Sequence, residues 1–230
     1  MTSEEPSTVV HTAVPLTRAI PVPERVWYAS YGSNMHMDRL AAYIAGGTPP
    51  GATRTYPGCR DGRAPERSIA VELEGCLYFA TESPVWTGGR AFYDPGATGR
   101  LWGRAHLVTV GQISDIATQE MYRDPAADLD LSTVLRDGRD EIGPGRYETL
   151  ICPGTIDGVP VLTFTAPWAH PDVEAVTPSA AYLRHLAGGL LESRPRAERG
   201  IARYLAGCPG AAGAWTSRQV RELLPDDTGR

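Results

Sequence analysis

The 230-residue chain contains no lysine and only one asparagine, Asn34, so all 22 of its basic residues are arginine. Both scarce residues have AT-rich codons, which is the pattern a GC-rich gene would give. The missing lysine excludes a lysine Schiff base and a Walker-type phosphate loop. No GxSxG is present, so a serine-hydrolase elbow is unsupported. Cysteine is scarce as well: Cys59, Cys76, Cys152 and Cys208 lie far apart without a CxxC pair and read as free thiols. His11, His36, His106, His170 and His185 show no HxH, HxxxH or HExxH spacing, so no built-in metal site is expected. No apolar run approaches the roughly 20 residues of a bilayer span. The first residues, "MTSEEPSTVV", are acidic and polar where a secretory signal would be basic and then apolar, so a cytoplasmic location is expected. A net charge of −5 argues against nucleic acid or an anionic membrane as the main partner.

What is present divides into a flexible leader over 1–24, a main domain over 25–195 and a C-terminal helical extension over 196–230. Val26 to Ser30 reads as a buried strand, followed by a turn at Tyr31-Gly32-Ser33-Asn34. Met37, Leu40, Ala41 and Ile44 then fall at helical spacing. An arginine-rich loop spans 48–66. Residues 68–81 read as a hairpin or bent strand broken at Gly75, "SPVWTGGRAFYDPGATG" as turns, and 100–110 as a strand. A helix over 111–123 opens with Thr109-x-x-Gln112, a capping-box pattern. After an acidic connection over 124–146, "RYETLIC" and "VPVLTFTAP" read as strands. The next helix has Thr177 as its cap and Pro178 in its first position. Strands and helices do not alternate regularly, so an α+β fold with a mixed or barrel-like sheet is expected.

Two features carry chemistry. On helix 111–123, Ile113, Ile116 and Ala117 form an apolar stripe whose next position is Glu120, about 20° from Ile113 on the wheel. A carboxylate in such a stripe is costly unless it is paired, protonated or used, so Glu120 is a general acid/base, the partner of an arginine, or turned outward by a helix that starts in another register. The Tyr31–Asn34 turn is the other. A strand feeding through a glycine into a helix exposes peptide N–H groups that suit a carboxylate or oxyanion. Gly32 would admit a ligand close to the backbone, and Ser33 or Asn34 would cap the helix. Cys59, set among arginines, reads as a surface thiol. Asp128, Asp130 and Asp140 read as solvated, and Tyr78, Trp86 and Trp102 as core.

These pieces resemble the γ-glutamylcyclotransferase-like family, whose signature is a strand-end YGSN. "WTGGRAF" (86–92) is similar to its W-x-GG-x-A segment. "LWGRAHLVTVGQISDIATQE" is similar to its strand and helix bearing the catalytic glutamate, which falls on Glu120. "GRYETLIC" is similar to a strand beginning at Tyr147, and "PSAAY" to a P-S-x-x-Y segment ending at Tyr182. The match runs in order from residue 26 to about 195. It departs at Met121, where the family often has glycine after the glutamate, and in the 48–66 and 124–146 segments.

The resemblance implies a small mixed β-barrel with flanking helices and a cofactor-free enzyme acting on a small γ-glutamyl amide. The substrate's α-amine would attack its own γ-carbonyl, giving 5-oxoproline and a free amine. Glu120 would be the acid/base. Tyr28, Ala29, Ser30, Tyr31, Gly32, Ser33, Asn34, Gly89, Tyr147 and Tyr182 would contact substrate. A homodimer is admitted by resemblance alone. An amide hydrolase on the same scaffold, or a non-catalytic binder of γ-glutamyl-type carboxylates, are the alternatives.

Overall fold

The structure, a computed structural model, describes residues 9–49, 54–194 and 197–224. Nine strands and six α-helices follow in the order β1 (Val10–Thr12), β2 (Arg25–Ser30), α1 (Met37–Ala45), β3 (Ser68–Glu74), β4 (Cys76–Glu82), β5 (Gly89–Asp94), β6 (Arg100–Thr109), α2 (Val110–Glu120), α3 (Ser132–Asp137), β7 (Arg139–Glu141), β8 (Thr149–Ile156), β9 (Val159–Thr165), α4 (Ala180–Ser193), α5 (Glu198–Gly207) and α6 (Ser217–Glu222). A 3-10 turn, Ser33–Met35, lies between β2 and α1.

Seven strands form a mixed sheet in the order β1-β3-β6-β2-β9-β8-β7, while β4 and β5 make a separate ribbon. Strand β2 is central, antiparallel to β6 and parallel to β9. Both its faces are covered, which is why "VWYAS" is apolar without alternation. Trp27 and Ala29 pack into one core with Leu73, Phe79 and the apolar faces of α4 and α5. Val26 and Tyr28 pack into a second with Leu40, Ile44, Ile113, Ile116 and Leu135 from α1, α2 and α3. Each buried Leu, Ile or Val contributes about 1.5–3 kcal/mol.

The sheet curls into a small barrel through residues expected to form a flexible leader. Strand β1 runs parallel to β3 at one edge. Just after it, Val14 exchanges two backbone hydrogen bonds of 2.8 Å with Thr155 on β8. The short β7 covers only the first half of β8, leaving the second half for Val14. A Cβ on Gly154 would meet the Val14 carbonyl at 2.1 Å, so this close approach needs glycine. The break expected at Gly75 is present, at φ 109, where a Cβ would lie 2.3 Å from the Asp94 carbonyl. There the chain leaves the large sheet for the β4–β5 ribbon. Thr165 ties that ribbon back to β9, its hydroxyl donating to the Tyr93 carbonyl and accepting from the Tyr93 N–H.

Other expectations change in detail. The α2 capping box forms as read, but the helix ends at Glu120, with Tyr122 following at φ 61. The cap of α4 is Ser179, whose hydroxyl accepts from the Tyr182 N–H. Thr177 and Pro178 instead pair with Gly88 and Gly89. The 83–99 stretch is not all turn, because Ala91, Phe92 and Tyr93 are buried on β5. The 124–146 connection holds α3 and β7, with Leu131, Val134 and Leu135 buried at helical spacing. Residues 1–8, 195–196 and 225–230 of the expected leader, domain boundary and extension lie outside the described residues.

Candidate active site

The central parallel pair, β2 and β9, runs out at the same end of the sheet, and a cavity opens there. It is lined by Tyr28 to Asn34 from β2 and its turn, Thr163 and Phe164 from β9, Ala91 from β5, Glu120 from α2, Tyr147 ahead of β8 and Tyr182 from α4. Counted out to its open mouth it holds about 380 Å³ of empty space, within the range of small-molecule sites. Crevices beyond the carboxyl ends of parallel strands are where ligands bind in α/β sheets, and the parallel pair here reproduces that local geometry.

Glu120 is the last helical residue of α2 and is half-buried. Ile113, Ile116 and Ala117, on the same helix, are fixed in the core beneath it. No arginine lies within ion-pair distance of it among the described residues. The Asn34 amide holds it instead: Nδ2 donates to Glu120 Oε1 at 3.1 Å and to the Tyr28 hydroxyl at 3.2 Å. Asn34 is buried, and its Oδ1 has no partner among the described residues. The capping role expected of Asn34 and Ser33 is not taken up. Among the described residues the 3-10 turn and α1 have no side-chain cap, and the Ser33 hydroxyl accepts from Arg39 Nε at 2.8 Å.

The turn offers donors to the cavity. The peptide N–H groups of Gly32 and Ser33 have no acceptor among the described residues. A Cβ on Gly32 would meet only the Tyr182 hydroxyl, at 3.9 Å, so the glycine faces open space. Tyr182 and Tyr147 both attach to Ala91. The Ala91 N–H donates to the Tyr182 oxygen at 3.3 Å, and the Tyr147 hydroxyl donates to the Ala91 carbonyl at 3.0 Å. The Tyr182 proton therefore stays available to a ligand. Tyr31 donates to the Phe164 carbonyl at 2.8 Å and serves as wall. Burial pushes the Tyr182 phenol up to about 12, and the Glu120 charge acts in the same direction. Tyr28 and Tyr147 are raised further, again mainly by burial. At neutral pH all three are neutral hydroxyls.

Of the residues marked in the sequence, the cavity gathers Tyr28 to Asn34, Glu120, Tyr147 and Tyr182, but not Gly89. Gly89 lies behind the wall against Val176, whose carbonyl would be 2.0 Å from an added Cβ, so its glycine serves packing. Ala91, Thr163 and Phe164 were not foreseen, since Ala91 acts through its backbone and the β2–β9 pairing has no local sequence signal. Cys59 is no surface thiol: burial and Asp115 push it up to about 12, and it donates to the Tyr43 carbonyl at 3.3 Å. Asp115, on the same helix as Glu120, is buried and accepts from Arg60 N and Nε at 2.8 and 2.9 Å. Among the described residues no group of three or more His, Cys, Asp and Glu side chains is placed to hold a metal ion. No described helix is long and apolar enough to cross a membrane.

No protein-family model matches the chain. Histone deacetylase 5 of Arabidopsis thaliana is 30% identical over 187 residues, which is 73% of this chain and 28% of that protein. The chain thus spans little more than a quarter of that relative. Among solved structures, an uncharacterized protein from Homo sapiens aligns over 87% of this chain and 98% of its own, at 15% identity and a TM-score of 0.49. A γ-glutamyl cyclotransferase aligns over the same shares at 15% identity and a TM-score of 0.45.

Proposed function

We propose that the chain is a γ-glutamylcyclotransferase-type enzyme, cleaving a γ-glutamyl amide into 5-oxoproline and a free amine. The observation that carries this reading is Glu120 held at 3.1 Å by Asn34 in the wall of a cavity whose turn presents the unengaged N–H groups of Gly32 and Ser33. A carboxylate beside peptide donors is what an intramolecular aminolysis needs. Glu120 takes a proton from the substrate's α-ammonium, freeing the amine to attack the γ-carbonyl. The new C–N bond closes a five-membered ring and puts negative charge on the carbonyl oxygen, to which the Gly32 and Ser33 N–H groups are suited to donate. Glu120 returns a proton to the leaving nitrogen as the original amide bond breaks, and the ring nitrogen sheds its second proton to the released amine, which departs as an ammonium. The Tyr182 hydroxyl is placed to orient the substrate. Because nucleophile and electrophile share one molecule, folding the substrate supplies much of the acceleration, and effective molarities of about 10⁵–10⁸ M are known for well-oriented closures.

The test is mass-spectrometric product analysis on a panel of γ-glutamyl amides with wild type and Glu120→Gln. Wild type should release 5-oxoproline, and Glu120→Gln should lower the rate by roughly 10²–10⁴, the usual worth of a general acid/base. Free glutamate as product would make the protein an amide hydrolase. Saturable thermal stabilisation without turnover would make it a binding domain.

A further inference from the structure

Beside the cavity, Arg54 and Arg146 flank Tyr122, two residues beyond Glu120, and Arg90 lies within electrostatic reach of it. The Arg54 guanidinium lies 4.3 Å from the centre of the Tyr122 ring and that of Arg146 lies 5.8 Å from it. Arg54 also donates to the Gln119 carbonyl at 3.3 Å, which holds it against the end of α2. Arg90, on β5, is in electrostatic reach of Arg146, Tyr122 and the cavity-lining Tyr147 and Tyr182. The three arginines come from separate segments, 54–63, β5 and 142–147, which the fold brings to one rim.

None of the three has a carboxylate within ion-pair distance among the described residues, although the chain is acidic overall and most of its other ion pairs are at the surface. The Nε–H groups of Arg90 and Arg146 are buried without any hydrogen-bond partner among the described residues. Buried donors are seldom left so, because an unpaired one forfeits its hydration. Burial and the neighbouring Arg146 both lower the proton affinity of Arg90, and the negative charge of a bound anion would offset them. Tyr122 itself is 61% exposed and sits at φ 61, a conformation a bulky residue rarely adopts. Such strain is found where the surroundings use it.

We infer that Arg54, Arg90, Arg146 and Tyr122 form a subsite for an anionic group, a carboxylate or phosphate, on the amine portion of the substrate. Its position relative to the scissile bond rests on the γ-glutamyl reading, since Glu120 and the Gly32–Ser33 donors then take the other end. Tyr122 and the guanidinium planes hold the stem of the leaving group while the Nε–H donors meet its anionic oxygens. A leaving amine carrying a further positive charge is repelled by the same rim.

The experiment compares four amides: γ-glutamylglycine, γ-glutamyl-2-aminoethyl phosphate, neutral γ-glutamylglycinamide, and the γ-glutamyl amide of ethylenediamine, which is cationic. The readout is the ratio of kcat/KM for each anionic amide over the neutral one, in wild type and in the double variant Arg90→Gln/Arg146→Gln. Wild type should prefer at least one anion by about tenfold, the worth of one charge-assisted hydrogen bond, and the cationic amide should be the poorest. The double variant should bring the ratio close to one. Which anion gains more separates carboxylate from phosphate. Arg54→Gln, on a different segment, repeats the measurement if the double variant does not fold. A wild-type ratio near one, or a ratio the variants leave unchanged, overturns the subsite while leaving the reaction standing. If no amide turns over, calorimetric binding to wild type decides. Tighter binding of γ-glutamylglycine than of the glycinamide, lost in the variant, keeps the subsite and removes the reaction. Equal binding, or none, removes both.

Discussion

At the scale of single residues, the lone asparagine links a turn to a helix end. An aspartate in its place would set a second carboxylate about as near Glu120 as the Asn34 amide now is, 3.1 Å, and two such groups titrate as one unit that resists losing its last proton. Asn34→Asp should move the pH–rate profile to higher pH, and a profile unmoved in that variant would detach Asn34 from the chemistry. Glu120 occupies a poor place for a carboxylate, because the negative end of the helix dipole lies at the C-terminus of α2. Glu120→Gln should therefore melt no lower than wild type, and thermal unfolding beside the rate assay checks it. Gly32→Ala should fold but hinder binding, since the methyl group would enter the cavity without a clash; an unchanged KM would refute that placement. Glu120 was legible because it continued an apolar stripe. Asp115, on the same helix, was not: the Arg60 that holds it stands far off in sequence, in a loop with no period of its own.

At the scale of elements, that Asp115–Arg60 contact pins the 54–63 loop to α2. Asp115 is fully buried, and Arg60 binds it through both backbone and side chain. Removing one partner of a buried pair costs roughly 3–5 kcal/mol, and Arg60, being partly exposed, can recover some hydration. Asp115→Ala should lose about 3 kcal/mol on this basis, visible as a lower urea midpoint; a shift of only a few tenths would mean the loop is held otherwise. The elements readable in the sequence were those with a strong pattern of their own. Strand β2 was apolar on both faces, α2 carried a capping box, and Gly75 marked a break. The three-residue strands β1 and β7 had too little pattern to declare themselves, since each is stabilised by a partner distant in sequence. The α4 cap moved from Thr177 to Ser179 for a similar reason, because tertiary pairing with Gly88 and Gly89 claims residues 177 and 178.

At the scale of the whole molecule, both cores meet across β2, and His106 on β6 is sealed against it. Its Nδ1 is 2.8 Å from the Ser68 hydroxyl, and the side chain is fully buried beside Tyr28. Burial first, and Arg104 second, depress His106 from 6.5 to about 3. The folded state thus holds it neutral, while the unfolded chain takes up a proton below about pH 6.5. Its contribution to stability is complete above that pH and is lost as pH falls toward 3, by at most about 1.4 kcal/mol per pH unit. Melting temperature should drop between about pH 6.5 and 4.5, and His106→Gln should flatten that slope; equal slopes would assign the loss to other groups. One further contact couples the site to something measurable without any substrate chemistry. Trp86 stacks on Tyr182 at 5.3 Å between ring centroids and lies 4.7 Å from His185. The indole is thus one aromatic ring away from whatever occupies the cavity. Its emission should brighten or dim as the cavity fills, an optical gauge of occupancy that a Trp86→Phe variant would silence.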